Sequence, residues 1–97
     1  MGSALSITNS TDDTITYAYM KKGENIVKTV KPGETEKEGN LSVGKEIDVV
    51  VTSENPNLED IRHKIHAAYD ASVTRKWKVI VEDGKLVVKR HGMDLGS

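Results

Sequence analysis

The dipeptide Asp83-Gly84 stands between two runs of alternating apolar and charged residues, Val73 to Glu82 and Lys85 to His91. Asp-Gly accepts the positive φ that both central positions of a type I′ turn require, and the twist of that turn matches the strands it joins. A two-residue loop also fixes the pairing. Glu82 then opposes Lys85, Val81 opposes Leu86, Ile80 opposes Val87, Val79 opposes Val88, Lys78 opposes Lys89, and Trp77 opposes Arg90. Trp77, Val79, Val81, Leu86 and Val88 share one face, expected to point inward because it carries the tryptophan and four aliphatics. The opposite face carries Lys76, Lys78, Ile80, Val87 and Lys89, and its apolar pair, Ile80 and Val87, is expected to be covered.

The same period-two reading extends upstream. Ala4–Thr8 and Thr14–Met20 alternate, the latter placing Ile15, Tyr17 and Tyr19 on one side. Lys21-Lys22-Gly23-Glu24 reads as a hairpin loop with Gly23 at positive φ, followed by a strand over Asn25–Val30. Pro32-Gly33 has the chemistry of a type II turn, proline fixing one φ and glycine supplying the left-handed position. Glu34–Asn40 is acidic and breaks the apolar pattern, so it reads as a loop with, at most, a short edge strand. Lys45–Thr52 is a strand with Ile47, Val49 and Val51 on one face. Asn57 precedes Leu58 with Asp60 three residues on, which approximates a capping box, and Leu58, Ile61, Ile65 and Ala68 or Tyr69 recur at helical spacing. A helix is therefore expected near Leu58–Asp70.

This order predicts a mainly β fold: a small antiparallel β-sandwich of about six to seven strands with one short helix in a crossover. An α+β roll, one curved sheet wrapped on the helix, is the alternative. The 97 residues are one domain's worth of chain, and Gly2-Ser3 and Gly96-Ser97 read as vector-derived ends. With 36% apolar residues and no Phe, the core must be built from Val, Ile, Leu, Tyr, Met and one Trp, leaving little for a large internal cavity. The absence of cysteine excludes disulfides, thiolate metal sites and a cysteine nucleophile. No apolar run has the length of a membrane span.

Charge is unevenly placed: residues 1–60 hold 6 Lys and 11 Asp+Glu, residues 61–97 hold 8 Lys+Arg and 4 Asp+Glu. The basic excess centres on the outer face of the hairpin, where Lys76, Lys78, Lys89 and Arg90, joined by Arg75, form a ladder of like charge suited to an anionic partner. Lys78 opposite Lys89 costs a few tenths of a kcal/mol to about 1 kcal/mol, and the acidic N-terminal half is the simplest compensation. On the expected helix, Glu59, His63, His66 and Asp70 line one polar stripe, a candidate divalent-metal set or, in the plainer reading, solvent-facing pairs. Tyr17 and Tyr19 are either core residues with hydroxyls at the rim or an aromatic platform for a sugar or peptide. Asn9-Ser10-Thr11 and Asn40-Leu41-Ser42 match the glycosylation sequon.

No Gly-rich loop precedes a helix and no nucleophile elbow is present, so the sequence leans away from an enzyme and names no catalytic residue and no cofactor. The leading expectation is a non-enzymatic interaction module recognising a protein or glycan partner. The alternatives are a nucleic-acid-binding domain using the basic hairpin, for which aromatic interleaving is missing, and a structural domain that self-associates into a homo-oligomer.

Overall fold

A strand whose side chains alternate apolar and polar must bury one face, and short runs of that kind joined by Gly, Pro, Asn and Asp turns pack as two layers. The computed structural model describes residues 3–21, 23–41, 46–66 and 74–90. Its elements are β1 (Ser3–Asn9), β2 (Ile15–Lys21), β3 (Glu24–Val30), β4 (Thr35–Leu41), β5 (Glu46–Ser53), β6 (Ile61–His66), β7 (Thr74–Glu82) and β8 (Lys85–Arg90). They form two four-stranded sheets, ordered β4-β1-β7-β8 (sheet A) and β3-β2-β5-β6 (sheet B). All neighbours are antiparallel except β1 and β7, which run parallel at the centre of sheet A. The edge strands β3 and β4 approach each other on one side of the sandwich, and β6 and β8 on the other. No helix among the described residues is long and apolar enough to cross a membrane.

The mainly β sandwich of the sequence reading is thus present. Leu5 and Ile7 of β1, Val79 of β7, and Leu86 and Val88 of β8 pack from sheet A against Ile15, Tyr17, Tyr19, Val30, Ile47, Val49, Val51 and Ile65 of sheet B. Full burial of such a side chain is worth roughly 1.5–3 kcal/mol, so this layer carries most of the stability. The hairpin register is the expected one throughout, with Asp83 at φ 53 and Gly84 at φ 75. Gly33 sits at φ 82, and the Glu34 N–H donates to the Lys31 carbonyl at 3.0 Å, which closes the Pro-Gly turn.

Three expectations are corrected. Residues 61–66 are strand, not helix, and pair with β5 from Val51↔Ile61 to Glu46↔His66. Ile61 and Ile65 lie four apart, a spacing in phase with both a helix and a strand, and pairing with β5 selects the strand. The would-be capping segment is a chain of local turns: the Asn55 N–H donates to Ser53 Oγ (3.1 Å) and the Asn57 N–H to Asn55 Oδ1 (3.0 Å). Glu34–Asn40, expected to be a loop with at most a short edge strand, is an edge strand for most of its length, contributing to the seven-residue β4 of sheet A. Finally, no described helix covers Ile80 and Val87, which are half-buried on the outer side of sheet A, and Val81 near the turn is 44% exposed.

The corners are held by one side chain. Asn9, at the end of β1, is 0% exposed. Its Nδ2 donates to the Asp13 carbonyl at 2.8 Å and to the Val30 carbonyl at 2.9 Å. Its Oδ1 accepts from the Thr11 N–H at 2.9 Å and lies 2.7 Å from the Thr11 hydroxyl. Its backbone N–H donates to Glu34 (2.9 Å), its carbonyl accepts from Gly33 (2.8 Å), and the next N–H, of Ser10, donates to Val79 (2.9 Å). Both donors and both lone pairs of the amide are therefore used, and β1, β3, the Pro-Gly turn and β7 meet at one residue. The sequon at Asn9 is closed to modification in the folded protein, because the amide nitrogen is buried and committed. Asn9→Ala leaves buried donors and acceptors unsatisfied at about 1–3 kcal/mol each, so urea denaturation should show a loss of roughly 3 kcal/mol with the m-value unchanged.

Candidate functional site

The strand registers place a continuous basic surface on the outer side of sheet A. Ser6 and Thr8 of β1 point away from the core that Leu5 and Ile7 enter, because successive side chains alternate. Ser6 is opposite Lys37 of β4 on one side and Lys76 of β7 on the other. Thr8 is flanked likewise by Thr35 and Lys78, and Lys78 is in turn opposite Lys89 of β8. The result is a floor of small hydroxyl residues bordered by lysines. The Thr8 and Thr35 hydroxyls are hydrogen-bonded to each other at 2.7 Å, and Ser6 is only 9% exposed. Lys37 and Lys76 are exposed and Lys78 is half-buried. Among the described strand residues on this side the one acid is Glu82, whose Oε2 lies 2.7 Å from Lys89 Nζ. The Lys78–Lys89 juxtaposition is therefore relieved within the hairpin itself, not by the acidic N-terminal half.

The predicted ladder is redistributed. Lys76, Lys78 and Lys89 share the outer face. Arg90 is opposite Trp77, on the inward register, with its guanidinium 5.3 Å from the centre of the indole ring. Arg75 is aligned with Leu5 by its backbone. Lys37 is not legible in the sequence as part of this surface, because Glu34–Asn40 breaks the apolar alternation that marks a strand. Its lysine between two glutamates, with Thr35 and Glu36 before it, is a period-two pattern whose polar face was the only signal.

The tyrosine platform is overturned: Tyr17 is 0% and Tyr19 3% exposed, so neither ring face is open to a ligand. Their hydroxyls donate to the two oxygens of Glu38, Tyr17 to Oε2 at 2.7 Å and Tyr19 to Oε1 at 2.6 Å. Glu38 comes from β4 and is itself 6% exposed, so this contact ties sheet B to the edge of sheet A. The metal stripe also loses its basis. His63 stands in strand β6 with its ring 5.3 Å from that of Trp77 in an edge arrangement. The spacing of 63 and 66, which a helix gathers on one side, is an odd separation in a strand. Glu59 lies in the preceding loop, Asp70 lies outside the described residues, and no group of three metal-ligating side chains occurs among the described residues. Trp77 Nε1 is buried with no hydrogen-bond partner among the described residues.

A cleft of about 470 Å³ opens beside the hairpin turn, lined by Asn57, Glu59, Asp60, Ile61, Gly84, Lys85 and Leu86. On the outer side of sheet B, Met20 and Val27 are 59% and 54% exposed. No protein-family model matches this chain, and no curated protein and no solved structure matches it significantly.

Burial, then the hydrogen bond to Glu38 and its negative charge, holds both phenols above the ordinary tyrosine value of 10.0. An unfolded tyrosine loses its proton near pH 10 while these two keep theirs, so the native state binds more protons and stability falls as pH rises past 10. Below that pH the contribution is fully present. Urea midpoints measured at rising alkaline pH should therefore drop more steeply for the natural chain than for Tyr17→Phe/Tyr19→Phe. The double variant should be the less stable of the two at neutral pH, because it leaves the Glu38 carboxylate buried without donors.

Proposed function

We propose that this protein is a non-catalytic binding module whose contact surface is the lysine-bordered outer face of sheet A, and that its partner is an acidic protein surface or segment. The observation that carries the reading is the alignment of Lys37 on β4 with Lys76 and Lys78 on β7, either side of Ser6 and Thr8 on β1, with a single acid among the described strand residues on the same side. Lysines on a flat, rigid sheet raise the local positive potential and steer an anionic partner on approach. Small hydroxyl residues between them leave room for a partner's side chains. A carboxylate-bearing partner is favoured over nucleic acid because no described residue of this face is an aromatic available for base stacking.

Polyglutamate in low-salt buffer is a suitable probe. Lys37→Glu, Lys76→Glu and Lys78→Glu should each weaken its binding by about tenfold without lowering the melting temperature, since these side chains make no core contact. Lys64→Glu, on the other sheet, should leave binding unchanged. Normal binding by all three variants would remove this face from consideration. Duplex DNA bound with a steep salt dependence, alongside no binding of polyglutamate, would replace the acidic partner with nucleic acid.

A further inference from the structure

The two sides of the sandwich are finished differently. On one, the edge strands carry charges at inward register positions: Lys28 of β3 is opposite Tyr17, and Glu36 and Glu38 of β4 are opposite Ile7 and Leu5. Inward charge on an edge strand deters further strand pairing. On the other side, β8 places Leu86 and Val88 inward, both buried; its one inward charge, Arg90, lies at the end of the strand away from the turn with its guanidinium 5.3 Å from the centre of the Trp77 ring, and Lys85–Arg90 contains no proline or glycine. Among the described residues β8 pairs with β7 alone. In a hairpin closed by a two-residue loop the flanking pair, Glu82 and Lys85, is hydrogen-bonded, and bonding alternates from there. The peptide groups of Leu86 and Val88 are consequently directed away from β7, toward the open edge.

We propose that β8 is a strand-addition site, and that its occupant is an extended segment of another protein in which acidic and apolar residues alternate. Every second residue of an added strand falls on the outer side of sheet A, next to Lys85 and Lys89 and continuing the rows of Lys76 and Lys78. Carboxylates are the complement there. The intervening residues fall on the inner side, where the cleft beside the turn is floored by Ile61 and Leu86 and rimmed by Glu59 and Asp60. An apolar side chain fits that floor, and the polar lining sets two acids, Glu59 and Asp60, against one cation, Lys85, a balance that favours an apolar group over a carboxylate. A second copy of β8 is a poor occupant, because antiparallel self-pairing sets lysines against lysines. The neighbouring edge β6 is the weaker candidate: its Lys64 is opposite Asp48 of β5 and lies 3.8 Å from Glu46, so that cation is already matched within the sheet. The charge half of this inference rests on the proposed lysine face, and the backbone half is independent of it.

The test uses three blocked peptides with the intact protein: one of alternating Glu and Val, one of the same composition with all Glu preceding all Val, and one alternating but N-methylated at every second residue. The first should bind, slow the exchange of the Leu86 and Val88 amide protons by at least about tenfold, and be weakened about tenfold by Lys85→Glu. The other two should bind at least about tenfold more weakly and leave those amides unprotected. Equal binding by all three, or binding without protection at Leu86 and Val88, would overturn strand addition while leaving the lysine face in place. Failure of the alternating peptide to bind while polyglutamate does would also overturn it, and failure of both would overturn the lysine face as well.

Discussion

A sandwich whose chain crosses repeatedly between its layers needs something to hold the crossings in place, and here Asn9 does so. Its amide satisfies the β1–β2 corner and the end of β3, while its own peptide group bonds the Pro32-Gly33 turn that leads into β4. The Ser10 N–H then reaches β7. These bonds fix how far β1 slides against β4 and β7, and every row of the outer face of sheet A follows from that register. A slip of one residue would exchange Leu5 and Ile7 for Ser6 and Thr8. Asn9 is thus remote from the lysines in chemistry and decisive for their arrangement. Each hydrogen bond contributes only about 1 kcal/mol net, less than one buried aliphatic, so Asn9 acts chiefly by specifying geometry.

Glu38 works the other way around. A carboxylate in the layer between two sheets is costly unless it is hydrogen-bonded, and two tyrosines from the facing sheet supply those bonds. The pair closes the side of the sandwich where β3 and β4 run, with charge at the inward positions of both edges. The side formed by β6 and β8 places Ile61, His63 and Ile65 of β6 and Leu86, Val88 and Arg90 of β8 inward, with the His63 ring and the Arg90 guanidinium both against Trp77 and a cleft at its end. Residues 85–88 of β8 carry no inward charge, whereas both edges of the opposite flank do, which is why the strand-addition inference attaches to β8.

Much of the fold was legible because the local signals are stereochemical. Asp83-Gly84, Gly23 and Pro32-Gly33 demand particular φ values, and all three turned where their chemistry required. The helix expected near Leu58–Asp70 gives way to strand at 61–66 because Ile61 and Ile65 satisfy two periods at once, and only the presence of β5 as a pairing partner separates them. β4 was misread for a related reason: Glu38 occupies a core-facing position, and a buried glutamate erases the apolar alternation that marks a strand. Nothing in one sequence shows that two tyrosines stand opposite it. The basic hairpin was visible, but its extension by Lys37 depended on that missed strand, and Arg90 was assigned to the outer face despite its register opposite Trp77.

Native-state amide exchange at the Asn9 corner is the decisive measurement. The Thr11, Ser10 and Gly33 N–H groups donate to Asn9 Oδ1, the Val79 carbonyl and the Asn9 carbonyl respectively. If this corner sets the register of sheet A, all three should exchange only through global unfolding, with the same free energy as the buried amides of β1 and β7. Exchange of these three by local opening, while β1 and β7 stay protected, would show that the sheets hold their register without Asn9.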